Sequence, residues 1–532
     1  MEVFKRRWFM WDLARQRRFD REEFLLVINK LADLGYNGLG LYLEGAFEFK
    51  SLGGVLREGV MTYEDAAWAK EKCSEKGILL FPLTNVVGHM EHFLRQERFT
   101  CLQSSTNPER DVNFGAPEAE EFALKIIYEY LEAFDTDYIH IGGDEVRLNE
   151  ENRQLYAKFL SGLCDKLISD GKRVGIWNDL LWYHKELVAP FSREVEIFDW
   201  HYHGHRPESI EFFKKEGFKN IIVCPCENSW IGFIGHQFLR DWVTGDNKTP
   251  IESDEVEAFF TDMSEIGEEG NRQGLLTLWE STMGRDIWGQ WSTIARAGLY
   301  MNGRFEAKKR NDEVIEKALF GRITPYTEIM YIIQKEIHSI FRSPEMVSYG
   351  RRMLFLKSVY LSEAKVSIEN RDEYFEKAAA PIAKIEKLLE GWNTENEFEV
   401  RCKADLISVV GMMKATFAIK TAFGACRRLY TEAAIKQFSS PEEAGALALE
   451  FAAGFDTAAG LMREYRITLE KLISRTAHTE TDLLRLDASI GYTEALSKLI
   501  KDRVSSPSFA RIPLPTVNVL LLNLLEQQII EK

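Results

Sequence analysis

Residues 21–44 read REEFLLVINKLADLGYNGLGLYLE, and the order of elements in this stretch decides the fold. Apolar residues recur at helical spacing from Phe24 to Leu31 and predict an amphipathic helix over 21–35. Gly35 stops it, because glycine accepts the left-handed backbone that ends many helices. NGLGLYLE, 37–44, then predicts a short strand that finishes on Glu44. The same unit recurs through the first 305 residues. Further strands are predicted at 8–14, 77–85, 138–145, 173–179, 195–202, 220–228 and 274–280, with helical patterns such as 116–134 between most of them. Gly77, Gly171 and Gly217 are further helix stops.

Strand–helix alternation makes neighbouring strands parallel, since each return crossover needs a helix. Eight strands in about 300 residues is the count of a closed barrel. A doubly wound open sheet would carry a glycine-rich phosphate turn after its first strand, and Asp12-Leu13-Ala14-Arg15 is not one. The expected fold class is α/β: a (β/α)8 TIM barrel over residues 1–305, followed by an all-α helical domain over 306–532. Composition divides the chain in the same place. Of 12 tryptophans in 532 residues, only Trp392 lies beyond residue 300, and only eight of 36 glycines lie beyond residue 330. Segments 404–438 and 440–473 carry apolar stripes at helical spacing, and Ser440-Pro441-Glu442-Glu443 offers an N-cap, a first-turn proline and early acids.

The net charge of −16 opposes binding to nucleic-acid phosphates or anionic lipid. No run of about 18 apolar residues is evident, so no membrane span is expected. The basic N-terminus has too short an apolar stretch, interrupted by Asp12, for a signal-peptide core, and seven scattered cysteines read as reduced thiols. A cytoplasmic protein is expected. The Leu-rich C-terminus reads as core or as a homodimer interface.

Polar and aromatic residues gather where the predicted strands end: Glu44, His89, Asp144, Glu145, Asp179, Tyr202, Asn228 and Glu280. A barrel places all those ends on one rim, where its chemistry is built. The sharpest feature is His140-Ile141-Gly142-Gly143-Asp144-Glu145-Val146. Two glycines leave room for a ligand, and two adjacent carboxylates follow. Like charges so close cannot both ionise easily, so one pKa should rise, as a general acid at neutral pH requires. His201, His203 and His205 alternate as metal ligands can, but lack a matching acidic or cysteine cluster and read as a loop; Pro225 makes Cys224 and Cys226 a strand end rather than a zinc pair.

HIGGDEV resembles the signature of glycoside hydrolase family 20, the β-N-acetylhexosaminidases. The resemblance extends over about residues 5–305. Arg7 to Arg15, RWFMWDLAR, is similar to the family's first barrel strand with its sugar-binding arginine. Gly88-His89 and Thr106-Asn107-Pro108 also match, and the helical C-terminal region resembles a compact bacterial branch. The resemblance implies a retaining mechanism in which the substrate's 2-acetamido oxygen attacks the anomeric carbon and forms an oxazolinium ring, an exception to the two-carboxylate scheme. It implies that Glu145 protonates the leaving oxygen and that Asp144 orients the acetamido group. Arg7 would hold sugar hydroxyls, Glu44 and His89 would form a proton-tuning pair beside Glu145, and His140 would line the site. Trp177, Trp200 and Trp279 would box the acetamido methyl, with Trp230 as an aglycone platform. The segment Cys224–Trp230 lacks the tyrosine that many members carry after strand seven, so Tyr202 or Asn228 would replace it. Glu280 is adjacent to Trp279 instead of two positions beyond it, which bears on the 4- and 6-hydroxyls. No metal or other cofactor is implied; the partner is a glycan ending in GlcNAc or GalNAc. Two other readings stay open: a metal-dependent enolising barrel with Glu44, Asp144 and Glu145 as ligands, and a glycan-binding relative without turnover.

Overall fold

The computed structural model describes residues 3–15, 18–53, 59–200, 207–227, 272–279, 287–304, 312–337, 372–473, 481–517 and 519–520. Two compact units appear, one holding the barrel and running to Ile323, the other holding Ile287–Gly289 and the helices from Thr324 onward.

The first unit is a closed parallel barrel. Its strands are β1 (Arg6–Asp12), β2 (Gly38–Tyr42), β3 (Leu79–Leu83), β4 (Tyr138–His140), β5 (Arg173–Trp177), β6 (Glu196–Trp200), β7 (Ile221–Cys224), β8 (Cys226–Glu227) and β9 (Gln273–Leu278). Each pairs in parallel with the next through β7. β7 and β8 both pair with β9, so they are two parts of one barrel position. Pro225 divides them: it has no N–H to give, while its carbonyl accepts from the Thr277 amide at 2.9 Å. β1 pairs with β9 over six residues, Arg6 opposite Gln273 through Trp11 opposite Leu278, and closes the ring. All eight predicted strand positions are occupied.

The helices between strands begin and end where their residues dictate. α1 (Arg21–Asp33) is capped by Asp20, whose carboxylate accepts from the Glu23 amide at 2.7 Å. α2 (Tyr63–Glu75) starts with a reciprocal Thr62–Asp65 capping box. α3 (Pro117–Ala133) has its proline in the first turn, where no N–H is needed. Gly35, Gly77, Gly171 and Gly217, the four predicted stops, all have φ between 69° and 92°.

Inward side chains fill the barrel in layers. Trp8, Phe81 and Tyr138 pack ring against ring at 4.9–5.5 Å, below Trp177, Phe198 and Trp279. Gly38 leaves space for Trp8, because a Cβ there would lie 2.1 Å from the indole. At the end where β1 begins, Arg6 makes a bidentate pair with Glu196 at 2.5 and 2.8 Å, and Tyr138 donates to the same carboxylate at 2.5 Å. The buried Glu196 carboxylate is thereby paired and hydrogen-bonded on both oxygens, as burial demands.

The second unit is all helical among the described residues. Its longest elements are α4 (Asp372–Gly391), α5 (Glu397–Phe423), α6 (Ala425–Lys436), α7 (Pro441–Ile473) and α8 (Thr481–Ser505). Gly424 breaks the predicted 404–438 segment into two helices. Phe455 meets Phe423 and Phe451 edge to face, each with centroids 5.0 Å apart, and Gly454 lets Cys426 approach. The expectation that no stretch is apolar enough to cross a membrane needs amending. Residues Glu397–Lys436 contain one that is, by length and composition, and 67% of that window is buried inside the unit. α5 buries side chains on nearly every face, which is the pattern of a core helix in a bundle instead of a one-sided stripe.

Candidate active site

The rim of the barrel gathers the chemistry. β1 ends on Asp12, which is buried, accepts from the Ala14 amide at 3.0 Å and pairs with Arg15. The Arg15 guanidinium lies 5.1 Å from the Trp279 ring centre and 5.4 Å from that of Tyr42. Tyr42, the last residue of β2, donates to Glu44 at 2.5 Å. His92 Nδ1 holds the other Glu44 oxygen at 2.9 Å.

β4 is only three residues long because Gly142 and Gly143 follow it with φ of 81° and 115°. A Cβ at Gly142 would sit 1.6 Å from the Asn85 side-chain oxygen. That space lets Asn85, just beyond β3, accept from the Gly143 amide at 3.0 Å and donate to Asp144 at 3.0 Å. Asp144 is 5% exposed, whereas the Glu145 side chain is 42% exposed. Glu145 has φ of 51°, with Glu44 at 44° and His89 at 52°; non-glycine residues held in the left-handed region collect at this rim. The Glu145 turn is tied down by Asp179, which accepts its amide at 3.0 Å, while the other Asp179 oxygen is buried with no partner.

Two basic groups, a histidine and an arginine, meet the Glu145 carboxylate, and the Arg110 guanidinium also lies 2.7 Å from His89 Nε2. His89 Nε2 lies 3.1 Å from it and 3.6 Å from Asp144. Arg110 donates to the carboxylate at 2.8 Å and to the Glu145 carbonyl at 2.7 Å. The hydrogen bond to His89, with the charges of His89 and Arg110, outweighs burial and lowers the Glu145 pKa. Burial, helped by the Glu145 charge, outweighs His89 and Asn85 and raises that of Asp144. Burial and then the Asp144 charge push Asp179 well up. At Glu44 burial is overcome by the His92 hydrogen bond and the Arg15 charge, leaving the carboxyl at about 2. Among the described residues no three His, Cys, Asp or Glu side chains are arranged to hold a metal ion.

Beside the carboxylates stands an aromatic wall. Trp177 and Trp279 are 6.0 Å apart between centres, Tyr42 stands edge-on to Trp279 at 5.0 Å, and Trp200 packs against the same cluster. The Trp177 indole N–H is buried without a partner. Residues 41–273 match the family model for the catalytic domain of glycosyl hydrolase family 20. This segment belongs to that family. A lacto-N-biosidase from Bifidobacterium bifidum is 25% identical over 173 residues, which are 28% of this chain and 15% of that protein. Among solved structures, a GH20 exo-β-N-acetylglucosaminidase from Vibrio harveyi aligns at 18% identity and TM-score 0.43, covering 59% of this chain and 56% of the other. A GH20 β-N-acetylhexosaminidase from Streptomyces coelicolor aligns at 15% identity and TM-score 0.45, with 62% and 69% covered. The chain thus spans a small part of its curated relative.

Asp144, Glu145, Glu44, His89, Trp177 and Trp200 within the matched segment share the rim with Trp279, which lies just beyond it. Three placements differ from expectation. Arg7 lies at the opposite end of β1, where its side chain donates to the Gly35 and Phe4 carbonyls at 2.6 and 2.7 Å. A strand of seven residues runs from one end of the barrel to the other, so Arg7 cannot serve the rim, and Arg15, eight residues on, stands there instead. Glu44 takes His92 as its hydrogen-bond partner, and His89 faces the carboxylate pair. His140 is fully buried under Trp177, ring centres 4.3 Å apart, and burial keeps it neutral. It supports the wall without reaching the mouth. Tyr202, Asn228, Trp230 and Glu280 lie outside the described residues. Asn85, Arg110 and His92 were not singled out from sequence, and Arg15 stood in the RWFMWDLAR motif without a role; Asn85 carried a signal as the last residue of a predicted strand.

Proposed function

We propose that the barrel is an exo-acting hydrolase of terminal β-linked GlcNAc or GalNAc that works with retention, using the substrate's acetamido oxygen as nucleophile. The observation that carries this reading is the contrast between two adjacent carboxyls, one buried and fixed by Asn85, the other open to the rim. Asp144 accepts the acetamido N–H, which aims the carbonyl oxygen at the anomeric carbon. Trp177, Trp279 and Tyr42 enclose the methyl and hold the attacking geometry. Glu145 gives its proton to the departing glycosidic oxygen and then takes one from the water that opens the oxazolinium ring.

Before a sugar arrives, the two carboxyl pKa values are shifted in the opposite sense to this chemistry. Binding reverses them. The acetamido N–H favours the Asp144 carboxylate, while the sugar covers Glu145 and removes water from it. His89, in contact with Glu145 and near Asp144, carries the proton between them. Burial and the Arg110 charge oppose its protonation, but the bond to Glu145 and the charges of Asp144 and Glu44 raise its pKa.

A thiazoline analogue of the bicyclic intermediate tests the nucleophile. Strong competitive inhibition of aryl N-acetylglucosaminide hydrolysis is expected. Turnover of that glycoside unaffected by the thiazoline would overturn the mechanism.

A further inference from the structure

Arg110 is the group whose position the proposed chemistry leaves unused. Its guanidinium spans Glu145, one nitrogen on the carboxylate at 2.8 Å and one on the carbonyl at 2.7 Å. Its remaining acidic neighbour, Glu91, is 3.6 Å away and itself partly exposed. Resting on the hydrolase reading, the atom protonated by Glu145 is the glycosidic oxygen, so whatever touches the Glu145 carboxylate borders the departing group. An acid catalyst must be neutral before it acts. Once Glu145 is protonated, Arg110 loses its main counter-ion at a partly buried position that already holds His89. A partly desolvated cation without a counter-ion is costly, and a planar guanidinium is best satisfied by a carboxylate bound through two parallel hydrogen bonds.

We propose that Arg110 is the anion-binding residue of the leaving-group subsite, and that the preferred substrate carries a carboxylate on the unit attached to its terminal N-acetylhexosamine. Such a carboxylate takes the guanidinium from Glu145 and frees that side chain to receive a proton. Recognition of the leaving group and readiness of the acid are thereby one event. With a neutral leaving group, loss of the Arg110–Glu145 pair leaves the guanidinium only the His89 ring at 2.7 Å and the more distant Glu91.

The test compares two aryl N-acetyl-β-glucosaminides of matched phenol acidity, one bearing a carboxylate and the other its carboxamide. Wild type should favour the carboxylate in kcat/KM by about tenfold or more, the size of one charge-assisted pair. Salt should diminish the preference. Arg110→Gln should bring the ratio close to one, and Arg110→Lys should keep part of it. Equal kcat/KM for the two glycosides in wild type, or a preference that survives Arg110→Gln, would overturn the proposal. A fall of both rates by the same factor in Arg110→Gln would mean that Arg110 only positions Glu145, and would also overturn it. If neither glycoside is hydrolysed, the hydrolase reading fails, and binding of the two to wild type and to Arg110→Gln by calorimetry then decides the anion preference by the same criterion.

Discussion

The backbone N–H of Glu145 donates to the Asp179 carboxyl at 3.0 Å, across the gap between the loops that follow β4 and β5. This bond holds the left-handed turn that presents the Glu145 carboxyl to the rim. Burial and the Asp144 charge push the Asp179 carboxyl well above the usual carboxylate range, which favours its neutral form as the acceptor. Asp179→Asn keeps the acceptor and should stay within about threefold of wild type in kcat. Asp179→Ala orphans a buried amide, costs about 1–3 kcal/mol, and should lower kcat about tenfold or more with KM little changed. Steady-state kinetics of both variants check this; equal loss in the two would contradict it.

With Glu145 as the proposed acid, its removal should matter in proportion to how badly the leaving group needs a proton. With Glu145→Gln, kcat/KM for an alkyl or poorly activated aryl N-acetylglucosaminide should fall by about 10²–10⁴. For a dinitrophenyl glycoside, whose phenolate leaves unaided, the fall in the ring-closing step should be much smaller. A uniform loss across leaving groups would show that Glu145 does not act as the acid.

Gly142 tests how the carboxylate pair is seated. Alanine there must adopt φ of 81° and place its Cβ against the Asn85 oxygen. Strain and collision together should cost about 2 kcal/mol or more and release Asn85 from Asp144. A lowered melting temperature accompanied by a loss of kcat is expected. An unchanged melting temperature would show that the turn relaxes freely.

Much of this was legible in sequence, and the physics says why. Strand and helix positions are local properties: alternation, caps and glycine stops each write themselves within a dozen residues. The acid pair stood out because two glycines preceded it at a strand end. Arg7 shows the limit. Its spacing to Asp12 is a sequence fact, but which end of a strand faces the rim depends on where the strand begins, and β1 begins at Arg6. Arg110 and Asp179 act on Glu145 from 35 and 34 residues away, through contacts that exist only once the loops are packed side by side. α5 differs in another way: the helix read over 404–438 is there, but its buried residues surround it instead of keeping to one stripe.

Glu44 should contribute to stability in a pH-dependent manner. Its folded carboxyl, at about 2, lies below an unfolded glutamate near about 4.3, so its stabilisation is complete above the unfolded value and is lost as pH falls through the window to about 2. The shift corresponds to about 3 kcal/mol. Unfolding free energies from denaturant titrations between pH 6 and pH 2.5 should fall less steeply for Glu44→Gln than for wild type. Parallel slopes would contradict the assignment.

A nucleophile supplied by the substrate, as proposed, makes hydrolysis depend on the acetamido group. The purified protein is therefore compared on aryl β-N-acetylglucosaminide, aryl β-N-acetylgalactosaminide and aryl β-glucoside. Hydrolysis of one or both N-acetylhexosaminides with no turnover of the glucoside is the predicted result, because glucose has no acetamido oxygen to close the ring. Cleavage of the glucoside at a comparable rate would contradict the account.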